Sequence, residues 1–216
     1  MGAIRQSLAA KRWILLSVAL ALSSCQDNDY RGIRNRNSQG TTVVCFGDSL
    51  TEGVGAEKGE DYPSVLARRL SYPVINAGRR GDTSADALAR LEAEVLRHNP
   101  RLVIVLLGGN DFSQRVPLDQ TEKNLAQIIE RVQASGAMVA LVGLRLGLFT
   151  DEYGPLYKDL AARHGALLVP DALQGVLSDP KLSSDRIHPN GAGYRLLAER
   201  VFRAVKPLLS EAALRG

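Results

Sequence analysis

The chain has 216 residues, of which 45% are hydrophobic and 23% charged, and its formal net charge is +4. This composition is typical of a globular protein with one buried core, which excludes a chain too polar to fold. The small positive charge does not indicate a nucleic-acid partner. Three of the bases lie in residues 1–24, the other 24 are matched by 23 acids, and no basic stripe with interleaved aromatic residues occurs.

The first 24 residues have the pattern of an export signal. Arg5, Lys11 and Arg12 form a positive region before an apolar run at 13–22. That run is too short to span a bilayer, which requires about 20 apolar residues. We therefore expect residues 1–24 to be a signal peptide.

The segment LSSC at 22–25 resembles a bacterial lipobox, in which cleavage before the cysteine leaves a new N-terminal residue whose sulfur carries a diacylglycerol. We therefore expect Cys25 to anchor the protein in a lipid bilayer at the periplasmic face of the cell envelope. Gln26 stands where an Asp would favour retention in the inner membrane, so the outer membrane is the predicted destination. An ordinary signal peptide with a chance cysteine is the alternative.

Residues 26–40 (QDNDYRGIRNRNSQG) are polar, rich in Asn and without periodicity, which predicts a flexible tether. The predicted organisation is a signal peptide at 1–24, a lipidated cysteine and tether at 25–40, and one folded domain at 41–216. Cys45 lies within an apolar run and is predicted to be a small buried residue without a disulfide partner.

From residue 41 onward, short apolar runs alternate with segments of helical period. The apolar runs predict strands at 42–46, 73–76, 102–107, 137–142 and 166–169. The segments between and after them predict helices at 62–70, 84–97, 119–134, 151–163 and 191–209. Continuous apolar strands are typical of a sheet covered on both faces. The alternation predicts an α/β fold, a three-layer sandwich around a five-stranded parallel sheet.

Polar or Gly-rich segments follow four of the predicted strands. They are GDSL at 47–50, NAGRRGDT at 76–83, GGND at 108–111 and DRIHP at 185–189. In an open parallel sheet, ligands bind beyond the carboxyl ends of the strands, at the point where the strand order reverses. We therefore expect these segments to meet at one site.

Ser49 is the candidate nucleophile and His188 its candidate base, because a serine hydroxyl reacts poorly until a base takes its proton. His98 and His164 fit helix ends, where an imidazole faces the negative end of the helix dipole. His188 lies in a loop with Asp185 three residues before it, and such a carboxylate can fix the imidazole tautomer and stabilise the imidazolium. A solvated loop histidine is the alternative for His188.

Gly81 and Asn110 are candidate donors to the oxyanion of a tetrahedral intermediate. Glycine lets a backbone N–H approach a substrate without a Cβ in the way, and an Asn amide is a neutral donor. Each follows a predicted strand, so together with the Ser49 N–H they suit an oxyanion hole. Gly78 is an alternative to Gly81.

The four segments, in this order and at these spacings, resemble the SGNH (GDSL) hydrolase family, especially its thioesterase, arylesterase and lysophospholipase-like branch. The resemblance covers residues 42–205 and implies a flavodoxin-like fold. It also implies a serine esterase that hydrolyses carboxylic esters (aryl or acyl esters, lysophospholipids or thioesters) through an acyl-enzyme. The resemblance makes Ser49 the catalytic serine, Gly81 and Asn110 the oxyanion groups, and Asp185 and His188 the rest of the triad.

Two other functions stay open, a carbohydrate O-deacetylase acting on envelope polysaccharide and a non-catalytic binding lipoprotein on the same scaffold. A small-molecule ester is the expected substrate, and no cofactor or obligatory protein partner is expected. Three dispersed histidines and two unlinked cysteines argue against a zinc site.

Two further features concern the choice of substrate. The Arg79-Arg80 pair precedes the oxyanion glycine and leaves the substrate preference open. The apolar loop at 144–149 (LRLGLF) predicts either an acyl groove lined by Leu146, Leu148 and Phe149 or simple packing under the next helix.

Overall fold

The computed structural model describes residues 30–145 and 151–213, and the side chains of these residues as far as 210. The predicted signal peptide and Cys25 lie outside the described residues. So do Leu146, Leu148 and Phe149, the predicted wall of an acyl groove.

Strands and helices alternate along the described chain. The strands are β1 (Thr42–Gly47), β2 (Val74–Gly78), β3 (Pro100–Leu106), β4 (Met138–Val142) and β5 (Leu167–Val169). The helices are α1 (Ser49–Glu52), α2 (Tyr62–Ala67), α3 (Ser84–Glu94), α4 (Gly109–Ser113), α5 (Leu118–Ala134), α6 (Tyr153–His164) and α7 (Gly191–Ala213). Short 3₁₀ turns occupy Tyr30–Gly32 and Leu96–His98.

The five strands form one parallel sheet in the order β2-β1-β3-β4-β5. Every residue of β3 and β4 is buried, as expected for central strands covered by helices on both faces. The predicted three-layer α/β sandwich with a five-stranded parallel sheet is therefore confirmed. Cys45 lies fully buried in β1 as a free cysteine, and burial raises the pKa of its thiol.

Two short helices, α1 and α4, were not predicted from the sequence. Each begins within three residues of the end of a strand, α1 after β1 and α4 after β3. Helical periodicity needs a window of more than ten residues to be detected, and these helices have four and five. Both carry candidate site residues, so the missed elements belong to the site.

The segment 30–40 differs from the flexible tether predicted there. Asn35 adopts a left-handed backbone conformation, with φ of 60°. Its side-chain amide donates to the carbonyl oxygens of Gln133 and Ala137, at 2.8 and 2.9 Å. The Tyr30 hydroxyl donates to a carbonyl of α7 at 3.0 Å. These contacts join the segment to the domain, and the polar composition of the segment gave no sign of them.

Within residues 30–145 and 151–213, no helix is both long enough and apolar enough to cross a membrane.

Candidate active site

The four polar segments meet at the carboxyl ends of β1, β2 and β3. The chain leaves β1 for β2 on one side and then returns to β3 on the other side of β1, so the strand order reverses at β1. Loops diverge at such a point and leave a crevice above the sheet. The loop at 185–189, which precedes α7, reaches the same crevice, where His188 contacts Ser49.

Ser49, His188 and Asp185 form a continuous chain of hydrogen bonds. The Nε2 atom of His188 lies 3.0 Å from the Ser49 Oγ atom. The Nδ1 atom of His188 lies 2.8 Å from the Asp185 Oδ2 atom. This is the geometry in which an imidazole can take a serine proton while a carboxylate holds its other ring nitrogen.

The second oxygen of Asp185 is held by the backbone of its own loop. Its Oδ1 atom accepts hydrogen bonds from the N–H groups of Ile187 and His188, both at 2.8 Å. The hydrogen bond with the His188 ring, together with these two N–H groups, lowers the pKa of Asp185 to about 2. Asp185 is therefore a carboxylate at neutral pH, although half of its side chain is exposed.

Ser49 is the first residue of α1, and Asp48 is its N-cap. The Oδ1 atom of Asp48 accepts a hydrogen bond from the Leu50 N–H at 2.9 Å, which satisfies one of the free donors of the helix N-terminus. Asp48 is only 2% exposed. Burial raises its pKa to about 6, although the Leu50 N–H and His188 both favour its charged form. The turn that presents the nucleophile thus contains a buried acid.

Asn110 and Gly81 come together through one hydrogen bond. The Asn110 Nδ2 atom donates to the Asp82 carbonyl oxygen at 2.9 Å and faces the Asp48 Oδ2 atom at 3.5 Å. Asp82 directly follows Gly81, so this bond joins the loops after β2 and β3. The amide of Asn110 therefore lies next to the Gly81 loop and close to Asp48 in the nucleophile turn.

Gly81 and Gly78 are glycines for different physical reasons. Gly81 has a φ of +84° with open space around its α-carbon, so its backbone conformation requires glycine. At Gly78, a Cβ would lie 2.1 Å from the Glu52 nitrogen, so close packing against α1 requires glycine. The Gly78 N–H already donates to the Asn76 side chain at 2.9 Å. Gly81 is therefore the better oxyanion candidate of the two.

Asp111 and Ser84 support the site, and sequence reasoning assigned no role to either. Asp111 is fully buried and accepts hydrogen bonds from the Ser84 N–H, at 2.9 Å, and from the Ser84 hydroxyl. Because Asp111 follows Asn110 and Ser84 begins α3, these bonds fix α4 to the start of α3. The available signal was the acid beside Asn110 and the serine that directly follows the NAGRRGDT segment.

Both arginines of the Arg79-Arg80 pair have carboxylate partners. Arg80 forms a fork with Glu52 on α1, in which the Arg80 N–H and side chain contact the two carboxylate oxygens at 2.6 to 3.0 Å. Arg79 pairs with Glu94 at the end of α3. The pair therefore fastens the Gly81 loop to its neighbours, and its charges are already compensated.

The two remaining histidines lie at helix ends, as predicted. His98 ends the 3₁₀ turn before β3, and His164 ends α6 before the left-handed Gly165. Both precede strands, so they lie at the opposite end of the sheet from Ser49. In the described part of the chain, no group of three or more His, Cys, Asp or Glu side chains is arranged to hold a metal ion.

The exposed large hydrophobic side chains of the described residues are Phe112 and Ile187, at 46% and 65%. Phe112 lies in α4 two residues after Asn110, and its ring packs edge-on against Tyr153 with centroids 5.9 Å apart. Ile187 directly precedes His188. Both exposed apolar side chains therefore lie within two residues, along the chain, of a candidate site residue.

Comparisons with known proteins agree with this geometry. Residues 45–196 match the family described as GDSL-like Lipase/Acylhydrolase. The chain is 34% identical to the esterase TesA of Pseudomonas aeruginosa over 212 residues, which cover 92% of this chain and 100% of that protein. It is 32% identical over 183 residues, covering 81% and 88% respectively, to the Escherichia coli protein named thioesterase 1/protease 1/lysophospholipase L1. A crystal structure of TesA superposes with a TM-score of 0.73 at 34% identity, covering 77% of this chain and 99% of that one.

Proposed function

The chain belongs to the GDSL-like lipase/acylhydrolase family and is a serine ester hydrolase, and on that premise we propose that it cleaves esters with apolar acyl or aryl groups at Ser49. The observation that carries the assignment is the hydrogen-bonded chain from Ser49 Oγ through His188 to Asp185. His188 and Asp185 are already aligned to activate the Ser49 hydroxyl as base and carboxylate partner.

In the first half of the reaction, the Ser49 Oγ atom attacks the ester carbonyl carbon while His188 Nε2 accepts the hydroxyl proton. The carbonyl oxygen becomes an oxyanion, which accepts hydrogen bonds from the Ser49 N–H, the Gly81 N–H and the Asn110 amide. Collapse of this intermediate breaks the bond to the leaving alcohol, which receives the proton from His188. Ser49 is then acylated.

In the second half, water attacks the acyl carbon and His188 accepts its proton. The same three donors stabilise the second oxyanion, and its collapse releases the carboxylic acid and returns the proton to Ser49. Throughout both halves, Asp185 holds His188 in one tautomer and stabilises its charged form. Because the pKa of Asp185 is about 2, the carboxylate is available for this role without a proton of its own.

The surroundings of the triad favour an apolar substrate. Phe112 and Ile187, which are close in the chain to Asn110 and His188, present exposed hydrophobic surface, and such surface stabilises an acyl or aryl group by removing it from water. Arg79 and Arg80 are paired with glutamates, so they offer no uncompensated charge to an anionic substrate. The names of the two relatives, an esterase and a thioesterase and lysophospholipase, point to acyl esters as well.

We also propose that Cys25 carries a lipid that holds the enzyme at the periplasmic face of the cell envelope, in the outer membrane. The support is the sequence alone, namely the positive and short apolar segments before LSSC at 22–25 and the Gln26 that follows. Several acyl chains on one residue give firm anchoring, since each buried methylene contributes about 0.8 kcal/mol. Acyl esters of envelope lipids would then lie within reach of the site.

The substrate proposal is tested with p-nitrophenyl esters from acetate to palmitate, on the wild type, Phe112→Ala and Phe202→Ala. Phe202 lies on α7, where the Arg69 guanidinium covers its ring. It serves as the aromatic control. We expect Phe112→Ala to lower kcat/KM for octanoate roughly tenfold, the effect of removing about two methylene contacts, while acetate changes less than twofold. Equal losses on both esters, or higher activity on acetylated glycan than on any acyl ester, would contradict the apolar assignment.

A further inference from the structure

Arg90 is a buried arginine that the catalytic mechanism does not use. It lies in α3, and only 7% of the residue is exposed. Arginine is rarely buried unless its charge is paired, and removing one partner of a buried ion pair costs more than a surface change does. A buried guanidinium this close to the site therefore requires an explanation.

The guanidinium joins the ends of two strands. Its Nη2 atom donates to the Gly47 carbonyl oxygen at the end of β1, and its Nη1 atom donates to the Ala77 carbonyl oxygen near the end of β2, both at 3.0 Å. Gly47 is separated from Ser49 by Asp48 alone. The same carbonyl of Gly47 also accepts from the Arg79 N–H at 3.0 Å, so Arg90 holds the strand end from which the nucleophile turn leaves.

Arg90 also holds the loop that carries the oxyanion donors. Its Nε atom donates to the Asp82 Oδ2 atom at 2.5 Å, with both side chains almost fully buried. The carbonyl oxygen of the same Asp82 is the acceptor for the Asn110 amide at 2.9 Å, and Gly81 precedes it in the chain. Asp82 therefore links Arg90 to both Gly81 and Asn110.

We propose that Arg90 is a positioning residue for the oxyanion hole, fixing Gly81 and Asn110 relative to Ser49. The proposal rests on the proposed function, because it assumes that Gly81 and Asn110 stabilise the oxyanion. Arg90 touches no reacting atom. It acts through Asp82, which it holds by the side chain, and through Gly47, which it holds by the carbonyl.

The contacts of Arg90 require a guanidinium rather than an ammonium. Four N–H groups of Arg90 reach Gly47, Ala77, Asp82 and Glu94, the last at 2.9 Å. A planar fork can satisfy acceptors that lie in several directions around one plane, whereas lysine offers one compact charge at the end of a flexible stem. Lysine at this position keeps the charge and loses the geometry, which makes it the appropriate test.

The first experiment compares Arg90→Lys with Arg101→Lys in steady-state hydrolysis of p-nitrophenyl butyrate and in thermal unfolding. Arg101 is equally buried, at 8%, but lies at the start of β3, at the opposite end of the sheet from Ser49. We expect both variants to unfold at a lower temperature. Only Arg90→Lys should lose kcat, by about 10- to 100-fold as for a small misplacement of catalytic groups, with KM within twofold of the wild type.

The second experiment is a double-mutant cycle with Asn110→Ala. Because Arg90 acts in part by placing Asn110, the loss of kcat from Arg90→Lys should be several-fold smaller when Asn110 is already Ala, a non-additivity expected for residues that act as a unit. A kcat for Arg90→Lys equal to that of Arg101→Lys overturns the proposal. An undiminished loss in the Asn110→Ala background overturns it as well.

Failure of the proposed function would look different. A wild-type kcat for Asn110→Ala itself would remove Asn110 from the oxyanion hole, and the proposal for Arg90 would fall with it. If Arg90→Lys does not fold, Asp82→Asn tests the same link, because it weakens the bond to Arg90 and keeps the Asp82 carbonyl. It should lower kcat at constant KM, and a wild-type kcat would overturn the proposal.

Discussion

The Nε2 atom of His188 lies 3.0 Å from the Oγ atom of Ser49, although the two residues are 139 positions apart in the chain. Ser49 is presented by the turn after β1, and His188 by the loop that leads into α7. The hydrogen bond therefore forms only when the first strand and the last helix are both in place. Catalytic competence in this protein is a property of the complete domain.

Ser49→Ala should remove hydrolysis and leave the fold intact, since the side chain is a small hydroxyl at the start of a short helix. We expect kcat to fall by roughly 10³- to 10⁶-fold, the range for loss of a nucleophile that acts with its base. A fluorophosphonate probe followed by peptide mass spectrometry should label Ser49 in the wild type. Ser113→Ala is the control and should keep full labelling, whereas a label on Ser113 itself would refute the assignment.

Asp185→Asn should lower kcat by about 10³- to 10⁴-fold without unfolding the domain, because His188 would settle in the wrong tautomer. The pKa of Asp185 is lowered to about 2, so its charge is lost only as the pH falls through that value. Any loss of wild-type activity between pH 7 and pH 4 must then come from other groups.

The measurement is the pH profile of kcat/KM for the wild type, Asp185→Asn and the exposed control Asp119→Asn. The control should follow the wild type at every pH. A wild-type rate for Asp185→Asn at pH 7 would exclude Asp185 from the triad.

Asp48→Asn should change how stability depends on pH. Burial raises the pKa of Asp48 from 3.8 to about 6 in the folded state, so the unfolded chain releases this proton first. Asp48 therefore contributes a loss of about 2–3 kcal/mol of unfolding free energy as the pH rises from 4 to 8, a contribution that an amide does not make.

Urea unfolding at pH 4 and pH 8 measures this difference for the wild type and Asp48→Asn. The unfolding free energy of the variant minus that of the wild type should be larger at pH 8 than at pH 4. An equal offset at the two pH values would mean that Asp48 is already ionised at pH 4.

Cys25→Ser should release the protein from membranes, because serine has no sulfur to carry the diacylglycerol. Fractionation of cells and intact mass of the mature chain measure the effect. The wild type should partition with the outer membrane and carry the acyl mass, with Cys25 as its first residue. A wild-type mature chain that is soluble and begins elsewhere would refute the lipobox interpretation.

Much of the fold was determined by local pattern in the sequence. Continuous apolar runs predicted all five strands, because buried parallel strands need apolar side chains on both faces. The predicted ends were off by one or two residues. The second strand, for example, continues to Gly78 because it pairs with β1 as far as Gly47, and such pairing is a property of two segments at once.

The candidate residues were also predicted from the sequence, since each stands directly after a strand or in a loop, where parallel sheets place their ligands. Their arrangement was decided by tertiary structure. Neither the hydrogen bond between Ser49 and His188 nor the bond from Asn110 to Asp82 can be read from the spacing of these residues in the sequence. Both depend on the strand order, which periodicity does not specify.

Tertiary structure alone decided the state of the charged residues. Arg90 and Asp48 look like solvated positions in the sequence, one on a helix full of charges and one in a turn. In the fold they are 7% and 2% exposed. Whether a charge is solvated depends on the elements that pack over it, and its hydrogen-bond partners come from distant segments. The sequence by itself determined which groups could carry the chemistry, and the packing of α3 and α4 against the strand ends decided how they are held.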